Sequence, residues 1–176
     1  MGKQGGRVMV PKFMAWDKKY KMIMTVNEID FEKNTVWLET DNGDHENRHT
    51  LTRDFNDVVL MQSTGLKGYM SDSHEDDEEK DVYRGDIIDI FWEEWPMGYY
   101  QENHMIGVVD KDETGTAWII KDAKYDFDTP KPIPSEIDGI SVSVSLPDAE
   151  DLEEIFLHNF NLTSSDITIL GNIYEN

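Results

Sequence analysis

The apolar residues of this chain come in short runs of Val, Ile, Phe, Tyr and Trp, each stopped within a few positions by Asp, Asn or Gly. β-Branched and aromatic side chains suit a pleated surface, and the interrupting residues tolerate tight turns. The texture therefore predicts a mainly β protein with about nine strands. Residues 8–16 and 20–26 flank a turn at Lys18-Lys19, and residues 28–31 lead through Glu32-Lys33-Asn34 into the alternating segment 35–39. Together they read as an N-terminal β-meander. The stretch 41–54 holds only Leu51 as an apolar residue and reads as a surface loop or an extended hairpin tip. Residues 57–62 form a buried-strand candidate ending at Thr64-Gly65.

Segment 72–81 contains seven acidic residues, one Lys and one His. It has no apolar surface whose burial would offset ordering entropy, so a flexible loop is expected there. Beyond it, Tyr83-Arg84-Gly85-Asp86 forms a turn into the apolar run Ile87-Ile88-Asp89-Ile90-Phe91-Trp92. A Gly-Asp turn before such a run is a common way for small SH3-like barrels to open their second strand. Residues 104–110 and 116–121 make a hairpin around Asp112-Glu113-Thr114-Gly115, with Gly115 suited to positive φ. Pro130, Pro132 and Pro134 deny regular pairing to residues 128–135, and Ser141-Val142-Ser143-Val144-Ser145 alternates as a half-buried strand should. One short α-helix is expected after Pro147, capped by Asp148, with Leu152, Ile155, Phe156 and Phe160 on its inner stripe. Residues 167–174 supply a closing strand. The expected organisation is a β-rich segment over 1–66, an acidic flexible loop over 67–82, and an SH3-like barrel region over 83–176.

Charge narrows the partners. Asp and Glu number 37 against 16 Lys and Arg, a net charge of −21 over 176 residues. Such a chain repels phosphate backbones, because nucleic-acid affinity comes from clustered Lys and Arg releasing counterions. The absence of cysteine removes disulfides, thiol nucleophiles and thiolate metal sites. No apolar stretch approaches the roughly 20 residues of a membrane-spanning helix, and a cytoplasmic location is expected.

Five blocks in fixed order resemble a known family. Lys12-Phe13-Met14-Ala15-Trp16-Asp17 with Lys21-Met22 comes first, then Asp30-Phe31-Glu32 with Asn34-Thr35-Val36. Leu60-Met61-Gln62 with Thr64-Gly65-Leu66-Lys67 follows, with Ser63 where an aromatic is usual. Tyr83-Arg84-Gly85-Asp86-Ile87-Ile88 and the ending Gly171-Asn172-Ile173-Tyr174-Glu175-Asn176 complete the set. The pattern is similar to the YopX family of small proteins encoded by bacteriophages and prophages of Gram-positive bacteria. That resemblance implies a mainly β protein with an SH3-like barrel, found in phage genomes, and it implies no established activity; the cytoplasm expected above would be that of the host cell. Residues 68–81 and about 122–150 look like insertions relative to the family.

Motifs for catalysis are weak. His45-Glu46-Asn47-Arg48-His49 spells the H-E-x-x-H zinc pattern, which works only on a helix, and here it sits in a polar stretch without an apolar stripe. Asp110-Lys111-Asp112-Glu113-Thr114-Gly115 imitates half of a calcium loop, but Lys121 stands where the bidentate carboxylate belongs. No Gly-x-Ser-x-Gly turn, dinucleotide fingerprint or Walker lysine motif is present. No metal, no cofactor and no enzymatic activity are expected; a hydrolase working through His45 or His49 is the weakest reading.

The aromatic cluster carries more. Phe91, Trp92, Trp95, Tyr99 and Tyr100 lie within ten residues, interrupted by Glu93 and Glu94. Those glutamates oppose a nucleic-acid stacking platform, which pairs aromatics with positive charge. The cluster is either sheet core plus a hairpin tip or a patch for another protein, since Trp and Tyr are enriched at interface hot spots. Trp92, Trp95, Tyr99 and Tyr100 are the candidate partner-binding residues. The expected function is that of a noncatalytic phage accessory protein that binds a host or phage protein, with self-association left open and neither nucleic acid nor membrane as a direct partner. The alternative is an acidic mimic of nucleic acid that occupies the basic cleft of a host DNA-binding or defence enzyme.

Overall fold

A computed structural model describes residues 11–40, 49–70, 78–95, 98–127, 136–137, 140–141 and 155–175. The chain divides into two compact units, residues 1–63 and 64–174.

The first unit is an antiparallel meander. Strands β1 (Phe13–Asp17), β2 (Met22–Asp30), β3 (Thr35–Glu39) and β4 (Thr50–Asp54) pair in succession, and β5 (Val58–Gly68) returns beside β1, giving the order β4-β3-β2-β1-β5. The β1–β2 register places Ala15 opposite Met24, and the β2–β3 register places Val26 opposite Leu38, with a bulge at Asn27. Ala15, Met24, Val36, Leu38 and Val58 form the core, with Val26, Ile29, Leu51, Phe55 and Leu60 around it. Strand β4 was not legible in the polar stretch 41–54. Its inward positions are Leu51 and Arg53, and an arginine pointing inward defeats an apolar-alternation reading.

The partner of Arg53 explains it. The carboxylate of Asp17, fully buried, accepts the backbone N–H groups of Lys19 and Tyr20 at 2.8 Å each and pairs with Arg53 Nε at 2.7 Å. The Arg53 guanidinium also lies over the Tyr20 ring at 4.9 Å. One side chain thus closes the β1–β2 turn and compensates a charge on β4, which gives the Asp of the Ala-Trp-Asp block a structural task.

The second unit is built around a five-stranded antiparallel sheet. Its strands are β7 (Asp86–Glu94), β8 (Gln101–Lys111), β9 (Trp118–Phe127), β12 (Ile155–Phe156) and β13 (Ile167–Asn172), in the order β12-β9-β8-β7-β13. Strand β6 (Lys80–Tyr83) is the other neighbour of β5, and Thr64 Oγ1 donates to the Val82 carbonyl at 3.0 Å. Strands β10 (Glu136–Ile137) and β11 (Ile140–Ser141) make a two-stranded ribbon. On β7, Ile88 and Ile90 face inward while Ile87 and Asp89 face out; on β8, Asn103, Met105, Gly107 and Val109 alternate inward likewise. Their apolar members join Val82, Ile120, Ile155, Leu157, Ile167 and Ile169 in the core. Gly107 lies at a bulge where an added Cβ would sit 2.3 Å from Ile120 Cγ2, so the close approach of β8 and β9 requires glycine there.

Two of the sequence blocks meet in space. Gly85 turns the chain at φ +92°, donating its N–H to Val109 and accepting from Ile173. Asp86 accepts the Tyr83 N–H at 2.7 Å and the Asn172 side-chain amide at 2.8 Å, the latter contact buried. The Gly-Asp turn and the Gly-Asn-Ile-Tyr ending thus satisfy each other's polar groups across 86 positions of sequence.

Several expectations need correction. The helix expected after Pro147 is not formed where residues are described: Ile155 and Phe156 pair as strand β12 with Ile120 and Ile119, and Leu157–Asn159 is one 3₁₀ turn. Ile and Phe suit a strand as well as a helix stripe, and β9 offers an open row of backbone groups, so tertiary pairing overrides the local spacing. Asp148 and Leu152 lie outside the described residues. Both large sheets are open among the described residues. Strand β6 begins at Lys80, inside the acidic segment rather than after it, and residues 71–77 lie outside the description. Most of H-E-x-x-H, residues 45–48, and the proline-rich stretch also fall outside it; His49 is exposed. Among the described residues no helix is long and apolar enough to cross a membrane.

Candidate partner-binding site

The antiparallel register of β7 and β8 sets Phe91 opposite His104, Trp92 opposite Asn103 and Glu93 opposite Glu102. The inward alternation that buries Ile88 and Ile90 carries on to Trp92, which meets the Phe160 ring at 5.8 Å. Phe160 is delivered there by β12 and the following turn, whose Leu157 is buried in the core. The next segment is fixed by a capping box: the Thr163 N–H and hydroxyl both donate to Asp166 Oδ2 at 2.7 Å. Ser164 donates to Glu79 at 2.6 Å, which ties down the end of the acidic segment.

These elements border an open cleft of about 800 Å³ lined by Phe91, Trp92, Glu93, Trp95, Phe160, Asn161, Leu162, Ser165 and Asp166. Trp95, Tyr99 and Tyr100 are 58%, 51% and 52% exposed, so the hairpin end is not sheet core. Trp92 and Trp95 both line the cleft, Tyr100 meets the Trp95 ring at 5.4 Å in a tilted contact, and Tyr99 is exposed; both tyrosines are outside the lining. The four candidate residues therefore divide, Trp92 serving as a half-buried floor and Trp95 as an exposed wall. Phe160, Leu162 and Asp166 complete the cleft from about 65 residues further along the chain. Sequence reading assigned Phe160 to a helix stripe, and only the β12–β9 pairing turns it toward Trp92.

Electrostatics at this end are one-signed. Glu93 and Asp166 line the cleft, no Lys, Arg or His among the described residues does so, and Glu102 stands across from Glu93. Like charges opposite each other on a sheet repel. Here the Tyr100 hydroxyl bridges them, 2.5 Å from Glu102 and 2.8 Å from Glu93. Hydrogen bonding first to Glu102 and then to Glu93 holds the phenol proton well above the ordinary tyrosine range.

Other chemistry-bearing groups lie elsewhere. His104 Nδ1 is 3.0 Å from Asp89 Oδ2 on the outward face of the sheet, with its ring against Phe91. Sequence reading missed this pair, since only the strand register brings residues 89 and 104 together. Asp112 accepts the N–H groups of Thr116 and Ala117 at 2.8 and 2.9 Å, so the calcium-loop imitation is a hairpin turn stabilised by its own carboxylate. Among the described residues no group of three His, Asp or Glu side chains is arranged to hold a metal ion.

Fold and cleft together define the class: a mainly β protein of two antiparallel sheets, carrying an aromatic, acid-lined cleft at one hairpin end. The profile of the YopX protein family matches residues 12–176, nearly the whole chain, and the chain belongs to the YopX family. None of the curated proteins and none of the solved structures compared with it matches.

Proposed function

We propose that this YopX-family chain is a noncatalytic accessory protein of phage or prophage origin that binds a basic protein in the host cytoplasm. The observation that carries the reading is the hairpin end between β7 and β8, where Trp95, Tyr99 and Tyr100 expose more than half their surface beside a formed cleft. Large aromatics at hot spots provide much of the affinity of protein interfaces, while long-range charge speeds encounter. An SH3-like organisation of the second unit belongs to the same proposal; its support is the β7-β8-β9 meander with β13 returning beside β7. A nucleic-acid mimic would need carboxylates free in a regular row. Asp17, Asp30, Asp110 and Asp112 instead accept backbone N–H groups of their own turns, which favours the protein-binding reading.

The test is affinity capture on the full chain and on the Trp95→Ala/Tyr99→Ala variant, from infected or lysogenic cells, with mass spectrometry. The expected result is a specific basic protein held by the parent chain and lost by the variant, with superimposable thermal melts. Retention of that protein by the variant, or unfolding of the variant, would overturn the reading.

A further inference from the structure

We infer that the cleft receives the guanidinium group of an arginine carried by the partner protein, an inference that rests on the docking reading above. Trp92, in ring contact with Phe160, and Trp95, in ring contact with Tyr100 outside the lining, give the site its aromatic wall. Among the described residues the lining includes two acidic residues, Glu93 and Asp166, and no Lys, Arg or His. An apolar plug would satisfy the rings but would strip water from both carboxylates without replacing it, which is unfavourable. A cation satisfies both kinds of surface. Aromatic faces attract it through their quadrupole, and the carboxylates neutralise it.

Arginine fits better than lysine because its planar guanidinium stacks on indole and offers several donors in one plane. Thr163 already orients Asp166, and Glu93 lies 2.8 Å from the Tyr100 hydroxyl, whose single proton it shares with Glu102. Fixed acceptors leave less conformational freedom to be lost on binding. The volume of about 800 Å³ also leaves room for the residues flanking an arginine.

The experiment titrates the full ¹⁵N-labelled chain with an acetylated, amidated Gly-Ser-Arg-Ser-Gly peptide and with its citrulline counterpart at about 150 mM salt. The indole N–H signals of Trp92 and Trp95 are followed, assigned with Trp-to-Phe variants. The expected result is a saturable shift of both signals by the arginine peptide, weakened about tenfold or more with citrulline, which keeps the shape and loses the charge. Glu93→Gln should weaken binding about tenfold, and Trp95→Ala should abolish it. If Trp95→Ala does not fold, Trp95→Leu takes its place. Equal affinity for the two peptides would overturn the cation while leaving the docking reading intact. Unchanged arginine binding by a folded Trp95 variant would trace the effect to net charge and overturn the inference. No shift at either indole would overturn it too. The docking reading fails by its own result, retention of the captured protein by the Trp95/Tyr99 variant.

Discussion

Asp17 is the residue whose side chain holds most together in the first unit. Burial alone would raise its pKa, but the Tyr20 N–H, the Arg53 guanidinium and the Lys19 N–H outweigh burial and hold the carboxyl below its ordinary value. A carboxyl depressed in the folded state contributes stability above its unfolded pKa of about 3.9, and that stability is lost as pH falls through the folded value. Asp17→Asn should therefore destabilise the protein by about 3 kcal/mol at neutral pH, leaving the Arg53 charge uncompensated. Urea unfolding from pH 7 to pH 3 should show the gap to the parent chain narrowing with acid; equal midpoints at pH 7 would refute this account. Gly107→Ala would press a methyl group into the Ile120 side chain, and about 1 to 3 kcal/mol of destabilisation is expected in the same assay.

At the scale of elements, the β7 turn and β13 are one construction. Asn172 is buried, and its amide donates to Asp86. Asn172→Ala should remove the amide that donates to Asp86 and destabilise by about 1 to 3 kcal/mol. Hydrogen exchange should show β7 and β13 losing protection together; loss confined to β13 would mean that the turn stands without it. The hairpin end behaves differently, because Trp95, Tyr99 and Tyr100 add little to the core. Their substitution should affect binding with little change in the melt, as argued for the paired Trp95 and Tyr99 change.

For the whole molecule, net charge sets the kind of partner. At −21, and with screening reaching about 8 Å at physiological salt, approach to duplex DNA is opposed by the mean field. Purified protein should leave a DNA band unshifted at about 150 mM salt, and a retarded band would contradict the charge argument. Association with a basic protein should slow as salt rises while dissociation changes little, measurable by stopped-flow tryptophan fluorescence.

What the amino-acid order determined by itself was local. Alternating β-branched runs identified strands β2, β3 and β7 to β9, and glycine at 85 and 115 marked turns that positive φ requires. Five spaced blocks identified the family. Tertiary structure decided wherever a residue's environment is supplied from far along the chain. Arg53 could face inward because Asp17 was waiting 36 positions away, and Ile155 and Phe156 became strand because β9 presented an unpaired edge. The cleft arose the same way. Hairpin aromatics legible in the sequence gained a facing wall, Phe160 to Asp166, only through strand pairing, because hydrogen-bonded register and not local propensity fixes which distant side chains share a surface.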